Sequence, residues 1–323
     1  MRVLVTGGAG YIGSHAAEAL AKSGHEPVVL DNLSTGHRWA VKWGPFIEAD
    51  LADRAALART LKDQRIEFVM HFAASLLVAE SVREPRKYFW NNVVNTLHLL
   101  DAMFEAGVNR IIFSSSAATY GDPEKIPMPE DHPQRPVNPY GESKLMMERV
   151  LRWYGNAYGL KWVALRYFNA AGADPEGRLG EDHDPETHLI PLIIEAALGR
   201  RPYVEIYGTD YPTPDGTAIR DYIHVTDLAE AHVQALEYLA GGGKSLALNL
   251  GNGRGHSVRE VIEAVGKVSP HPVPVREGPR RAGDPPALVA DPTQAGRILG
   301  WKPRYAGLEG IVQSAWNWHS SHK

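Results

Sequence analysis

The 323-residue sequence contains no cysteine. That absence excludes disulfides, thiolate nucleophiles, iron–sulfur clusters and thiolate zinc sites, and it fits a reducing cytoplasmic address. It also lacks a basic excess: 34 Lys and Arg stand against 38 Asp and Glu, a net charge of −4. A nucleic-acid partner held by phosphate contacts is therefore not expected. Long apolar runs are missing too. The longest, 68–79, is interrupted by His71 and Ser75, and a membrane span needs about 20 residues. Met1 is followed almost at once by Gly7, which leaves no apolar stretch for a signal peptide. No repeat and no low-complexity block is visible, and none of the 14 histidines falls in an H-E-x-x-H pattern. His183 and His188 read as loop residues without a supporting carboxylate pattern, so no metal is expected.

What is present is alternation. Short β-branched runs at 3–6, 28–31, 46–49, 68–72, 110–114 and 162–167 lack polar alternation, as parallel strands covered on both faces do. Helical patterns at 12–23, 53–63, 88–105 and 140–158 separate them. The expected fold is α/β, a doubly wound parallel Rossmann sheet with a second, smaller substrate-binding domain. After Asn169 the chain turns Gly-, Pro- and Asp-rich, with a long loop at 173–191 and helices near 192–198, 227–239, 258–266 and 308–319. Residues 1–168 plus about 217–252 are expected to bind a dinucleotide, and about 169–216 plus 253–323 its substrate.

The segment Val3-Leu4-Val5-Thr6-Gly7-Gly8-Ala9-Gly10-Tyr11-Ile12-Gly13 carries a glycine fingerprint between a strand and a helix. Glycines there make the tight turn, admit backbone N–H groups to a pyrophosphate, and let the helix pack on the sheet. Gly7, Gly10 and Gly13 are the candidates. Strand two ends in Asp31, placed to accept hydrogen bonds from a ribose 2′-hydroxyl and to repel a 2′-phosphate, so NAD is favoured over NADP. Asp50 could face the adenine or equally cap a helix.

Tyr140-Gly141-Glu142-Ser143-Lys144 has the form Y-x-x-x-K, and Asn138-Pro139 before it reads as a helix start. Residues i and i+4 share a helix face. An ammonium about 5 Å from a phenol, at an effective dielectric near 20, favours phenolate by roughly 3 kcal/mol, or about two pKa units. Such a tyrosine could take a proton from a hydroxyl as hydride leaves the same carbon. Ser114-Ser115-Ser116 ends the fifth strand, at the edge where open α/β sheets bind ligands. Ser116 is the expected relay, with Ser114 and Ser115 structural. Tyr120 is a rival base that lacks a lysine four residues on.

These segments, with His71-Phe72-Ala73-Ala74, Arg166-Tyr167-Phe168-Asn169, Arg220-Asp221-Tyr222-Ile223-His224-Val225 and Arg280-Arg281-Ala282-Gly283-Asp284, resemble the extended short-chain dehydrogenase/reductase family. The last two narrow the likeness to nucleotide-sugar enzymes, and the set as a whole resembles the nucleotide-sugar 4-epimerases. The resemblance spans essentially the whole chain. It implies that Tyr11 and Ile12 flank the NAD pyrophosphate, Asp31 and Asn32 hold the adenosine ribose, and Asp50 and Leu51 contact adenine. Phe72, Ala73 and Ala74 line the cofactor channel near Asn91, while Lys144 holds the nicotinamide ribose and Phe168 lies by the ring. On the substrate side it implies Ser116, Tyr140, Asn169, His188, Leu189, Tyr207, Arg220, Arg281 and Asp284. Arginine forks suit a diphosphate on chemical grounds as well.

The implied reaction is reversible C4 epimerisation of a UDP-hexose, UDP-galactose to UDP-glucose, through a 4-keto sugar with NAD kept bound. The implied state is a cytoplasmic homodimer joined through two helices of the first domain. Epimerases of UDP-N-acetylglucosamine, UDP-pentoses or UDP-uronates are alternatives. A 4,6-dehydratase is a weaker one, because Ala117 and Ala118 stand where that chemistry usually has an acid pair. A non-catalytic NAD sensor is disfavoured by the intact Tyr–Lys pair. Three positions depart from the family pattern. Leu76 replaces a lysine, His188 stands where an asparagine is common, and Leu288 sits at the position that gates the sugar's C2 side.

Overall fold

The computed structural model describes residues 1–281 and 283–322. Its centre is a seven-stranded parallel sheet. Six strands are β1 (Arg2–Thr6), β2 (Glu26–Asp31), β3 (Phe46–Glu48), β4 (Phe68–His71), β5 (Arg110–Ser116) and β6 (Lys161–Tyr167). The seventh is Leu246–Leu250, and the order runs β3-β2-β1-β4-β5-β6 with the seventh outside β6. The order reverses at β1, so the carboxyl ends of β1 and β4 flank the crevice that such sheets use for ligands.

Strand alternation divides the apolar residues between the two faces. Leu4, Leu30, Val69, Ile111 and Phe113 point into one core, packed under the helices Arg54–Asp63, Asn95–Glu105 and Pro139–Tyr158. Val3, Val5, Met70, Ile112 and Leu165 point into the other, under α1 (Tyr11–Lys22) and the helix Val225–Ala240. Because both faces are covered, the strands carry no polar alternation.

The remaining elements form a smaller unit with a core of its own, in which Ile190, Ile193 and Ile194 meet Val261, Val265, Ile311 and Val312. Strand Ile219–His224 pairs with Asn169–Ala171, Gly255–Ser257 and Ala287–Leu288, not with the central sheet. The chain then re-enters the large unit through Val225–Ala240, and Thr293–Leu299 later packs back onto that unit, with Ala295 and Trp301 in its core.

Two local readings change. The helix expected at 192–198 starts at Leu189, so Pro191 lies in its first turn, where a missing N–H costs nothing. The helix expected at 88–105 is interrupted: a π turn, Trp90–Val94, separates Pro85–Phe89 from Asn95–Glu105. Among the described residues no helix is long and apolar enough to cross a membrane.

Candidate functional site

The glycine turn at the end of β1 is built for backbone approach. Gly7 has φ +72°, and a Cβ there would meet Ala73 N at 2.5 Å. A Cβ on Gly13 would meet Gly7 O at 2.2 Å, so the helix lies directly on the turn. No side chain caps α1 at Gly10, which leaves its first N–H groups facing the crevice. Asp31 is buried beside it and accepts N–H bonds from Ala9 at 3.0 Å and Leu33 at 2.8 Å. Burial outweighs those bonds and raises its pKa. Asn32 donates to Asp50 at 2.6 Å, and Asp50 also accepts from Ala52 N at 2.7 Å. The alternative of Asp50 as helix cap is excluded, since Asp53 caps that helix through Ala56 N. Leu51 is buried behind this pair. The uncapped helix end, a cradle that admits only glycine and a carboxylate at the tip of β2 fit a dinucleotide.

The loop after β4 lies against the turn, its backbone at 72–73 meeting Gly7. Phe72 packs on His232 with ring centres 4.7 Å apart, and Ala73 and Ala74 are half-buried beyond it. Asn91 touches Ser75 Oγ at 3.2 Å, but its neighbour Asn92 is the anchor. Asn92 accepts from Ser75 N (2.8 Å) and donates to Ser75 O (2.9 Å) and Ser143 Oγ (3.0 Å). The π turn aims this side chain at both the loop and the long helix; π turns often mark functional positions. An Asn-Asn pair in a helical pattern gave no sign of which residue was buried.

Tyr140 and Lys144 lie on the helix Pro139–Tyr158, whose cap Asn138 accepts from Gly141 N at 2.9 Å. A Cβ on Gly141 would meet Ala118 O at 2.3 Å, so the helix start rests on the turn that follows β5. This contact brings Tyr140 beside Ser116. Lys144 is buried, donates to Ser114 O at 2.8 Å, and lies 5.9 Å from the centre of the Tyr140 ring. The expected electrostatics need correction. Burial raises the Tyr140 pKa, and the Ser116 hydroxyl pulls it back. Burial also pulls Lys144 itself down to about 7. The ammonium is thus a weaker source of phenolate than simple Coulomb arithmetic suggests.

The remaining serines are structural. Ser114 shares a 2.5 Å hydrogen bond with Tyr167, and Ser115 donates to Glu148 at 2.6 Å. Glu148 forms a buried two-point pair with Arg166, which also donates to Tyr120 at 2.8 Å. Tyr120 donates onward to Asn249, and burial pushes its pKa up to about 12. It is locked into the core and is not the base.

In the smaller unit, Arg220 pairs with Asp284, and the Arg281 guanidinium lies 3.8 Å from the centre of the Tyr207 ring. Leu288 stands opposite Arg220 in register. Asn169 begins the strand after the half-buried Phe168, opposite Tyr222. His188 stands at the N-cap position of the helix that begins at Leu189, but its side chain makes no capping bond. Its Nδ1 is drawn to Glu181 at 2.7 Å and Glu186 at 3.3 Å, with His183 beside them. The histidine loop therefore does have a carboxylate pattern, Glu181-x-His183-x-x-Glu186-x-His188, contrary to the reading of the sequence. Asp221, also missed, is fully buried and accepts N–H bonds from Asn252, Gly253 and Ala290. Burial raises its pKa to about 6.

Residues 3–251 match the NAD dependent epimerase/dehydratase family. The chain belongs to this family. As an epimerase/dehydratase it has full-length relatives. It is 51% identical to a UDP-glucose 4-epimerase of Lacticaseibacillus casei, over 100% of this chain and 98% of the relative. The structure of UDP-glucose 4-epimerase from Brucella ovis in complex with NAD is 55% identical with TM-score 0.96, covering 98% of this epimerase/dehydratase and 97% of that chain. That from Bifidobacterium longum, in complex with NAD+ and UDP, is 39% identical with TM-score 0.94, covering 99% and 98%.

Proposed function

We propose that the chain is an NAD-dependent isomerase that interconverts UDP-galactose and UDP-glucose at C4. The observation that carries this is the meeting of Tyr140, Ser116 and Lys144 at the carboxyl end of β5, beside an open helix end suited to a dinucleotide. The UDP-glucose 4-epimerase relatives support the substrate.

Gly7, Gly10, Tyr11, Ile12 and Gly13 hold the NAD pyrophosphate. Asp31 and Asn32 hold its ribose, with Asp50 and Leu51 near adenine, Phe72, Ala73, Ala74 and Asn91 along the channel, and Lys144 and Phe168 at the nicotinamide end. Bound NAD would supply a hydride acceptor and a positive charge. Tyr140 Oη takes the C4 hydroxyl proton and later gives it back, and the Ser116 hydroxyl bridges sugar oxygen and phenol. Lys144, fixed by the Ser114 carbonyl, orients the pair. Arg220 and Arg281 grip the diphosphate, Asp284 the uridine ribose, and Asn169, Leu189, Tyr207 and His188 complete the wall. A diphosphate held firmly at its arginines lets the oxidised sugar turn over before it is reduced from the opposite face. We assign the NAD-binding part to residues 1–168 with about 225–252 and 293–301, and the UDP-sugar part to about 169–224 with 253–292 and 308–321, which moves Ile219–His224 from the expected first part to the second.

We further read the chain as a cytoplasmic homodimer. Trp153 and Phe104, 70% and 63% exposed, project from the helices Pro139–Tyr158 and Asn95–Glu105, and Phe104 meets Tyr158. An exposed aromatic face of this kind marks an interface.

The test is conversion of UDP-galactose by purified protein with no NAD added. UDP-glucose should form. An inert protein that still contains NAD would overturn the reading. Tyr140→Phe is expected to lower turnover by orders of magnitude with UDP binding and NAD content kept; a rate near wild type removes Tyr140 from this role.

A further inference from the structure

The loop 181–188 gathers four donor groups, of which Glu181, His183 and Glu186 have no part in the proposed site and His188 also stands at the proposed sugar wall. One ligand atom each from Glu181, His183, Glu186 and His188 lies within 4.8 Å of all the others. The closest pairs are His188 Nδ1 to Glu181 Oε1 at 2.7 Å, His183 Nδ1 to Glu181 Oε1 at 3.2 Å, His188 Nδ1 to Glu186 Oε1 at 3.3 Å and His183 Nδ1 to Glu186 Oε2 at 3.6 Å. Tetrahedral zinc with bonds of 2.0–2.1 Å separates its ligands by about 3.3 Å, the middle of this range.

We propose that Glu181, His183, Glu186 and His188 bind a divalent transition cation, zinc by preference, in a closed site that clamps this loop.

An ion-pair cluster is the competing account, and the alignment weighs against it. Glu181 is 3% exposed, yet its Oε1 has no hydrogen-bond partner, and neither has His183 Nδ1 or His188 Nδ1. The atoms are close enough to bond, but no N–H axis runs along these lines. Three buried polar atoms left so would be costly, and a cation among them satisfies all three. Glu186 behaves as a divided ligand: its Oε1 accepts from Thr187 N and His188 N, leaving Oε2 for an ion. Two imidazoles with two carboxylates suit zinc better than magnesium or calcium, which prefer oxygen alone.

The role is structural. Trp318 Nε1 donates to Glu181 O at 3.0 Å, the Asp182 carbonyl meets His37 Nε2 at 2.9 Å, and His183 lies edge-on to Tyr11. An ion here would fasten the loop where it touches α1 and the helix that begins at Leu189.

Metal analysis of the purified, dialysed holoprotein should find about one zinc per chain. Cobalt(II) added to chelator-treated protein at mildly alkaline pH should give the visible bands of a tetrahedral ion. Chelator should lower Tm in the wild type and leave it unchanged in Glu181→Gln and His183→Gln, both of which should lose the cobalt bands. Negligible zinc together with no cobalt band in the wild type would overturn the site and leave only ion pairs. Both wild-type measurements hold even if a variant misfolds. Neither reads turnover, so failure here is distinct from failure of the epimerase reading.

Discussion

Lys144 illustrates a conflict between stability and chemistry at one residue. Its ammonium is stripped of water and finds one carbonyl, that of Ser114, so its folded pKa falls to about 7 from 10.5. A lysine with a depressed folded pKa weakens the fold wherever the unfolded chain would be charged. The cost is full below about pH 7 and disappears as pH climbs toward 10.5. Lys144→Met should therefore be inactive yet match or exceed the wild type in denaturant midpoint at pH 7. That margin should shrink steadily between pH 7 and 10. A margin that grows with pH would show the sign to be wrong. The Glu148–Arg166 pair follows different physics: each partner is buried with several bonds to the other and to Ser115 and Tyr120, so both ions are satisfied where they stand.

Among the elements, the helix Pro139–Tyr158 sets the proton-handling geometry through its first turn. Asn138→Ala removes the bond to Gly141 N and should cost about 1 kcal/mol of stability, measured as a denaturant midpoint. Because Tyr140 sits in that turn, kcat should fall more than KM changes, and Asn138→Ser should restore both. Unaltered kcat in a destabilised Asn138→Ala protein would separate the cap from Tyr140. This helix was readable in advance, because Asn-Pro before a Y-x-x-x-K pattern states start and face together. The central sheet was readable for a similar reason: unbroken apolar strands separated by amphipathic stretches leave few alternatives. The π turn was not, since its residues keep a helical apolar pattern and differ only in where Asn92 is aimed. At 181–188, the reading of the sequence gives His183 and His188 no carboxylate pattern, although Glu186 and Glu181 stand between and beside them. These donors come from a loop, where no periodicity says which side chains converge.

At the scale of the whole molecule, length and composition anticipated two units, and the expected sharing of the chain, with 217–252 in the dinucleotide-binding part, differs at the strand Ile219–His224. Ile219–His224 lies in sequence beside strands of the large sheet and hydrogen-bonds in the small one, a choice made by partner strands far along the chain. The exposed aromatic face also belongs to this scale. On the proposed homodimer, Trp153→Glu should shift the mass in light scattering from dimer to monomer, with NAD content unchanged. A variant that remains dimeric would move the interface elsewhere.

The Tyr11 hydroxyl, donated to Gly172 O at 2.6 Å, ties the first residue of α1 to the far side of the crevice. On the proposed assignment of Tyr11 to the pyrophosphate, a dinucleotide at the foot of that helix would lie beside this tie, and its escape would be coupled to breaking it. Tyr11→Phe should leave the amount of NAD carried through purification nearly intact while hastening its exchange against labelled NAD; an unchanged exchange rate would show that the tie plays no part in retention.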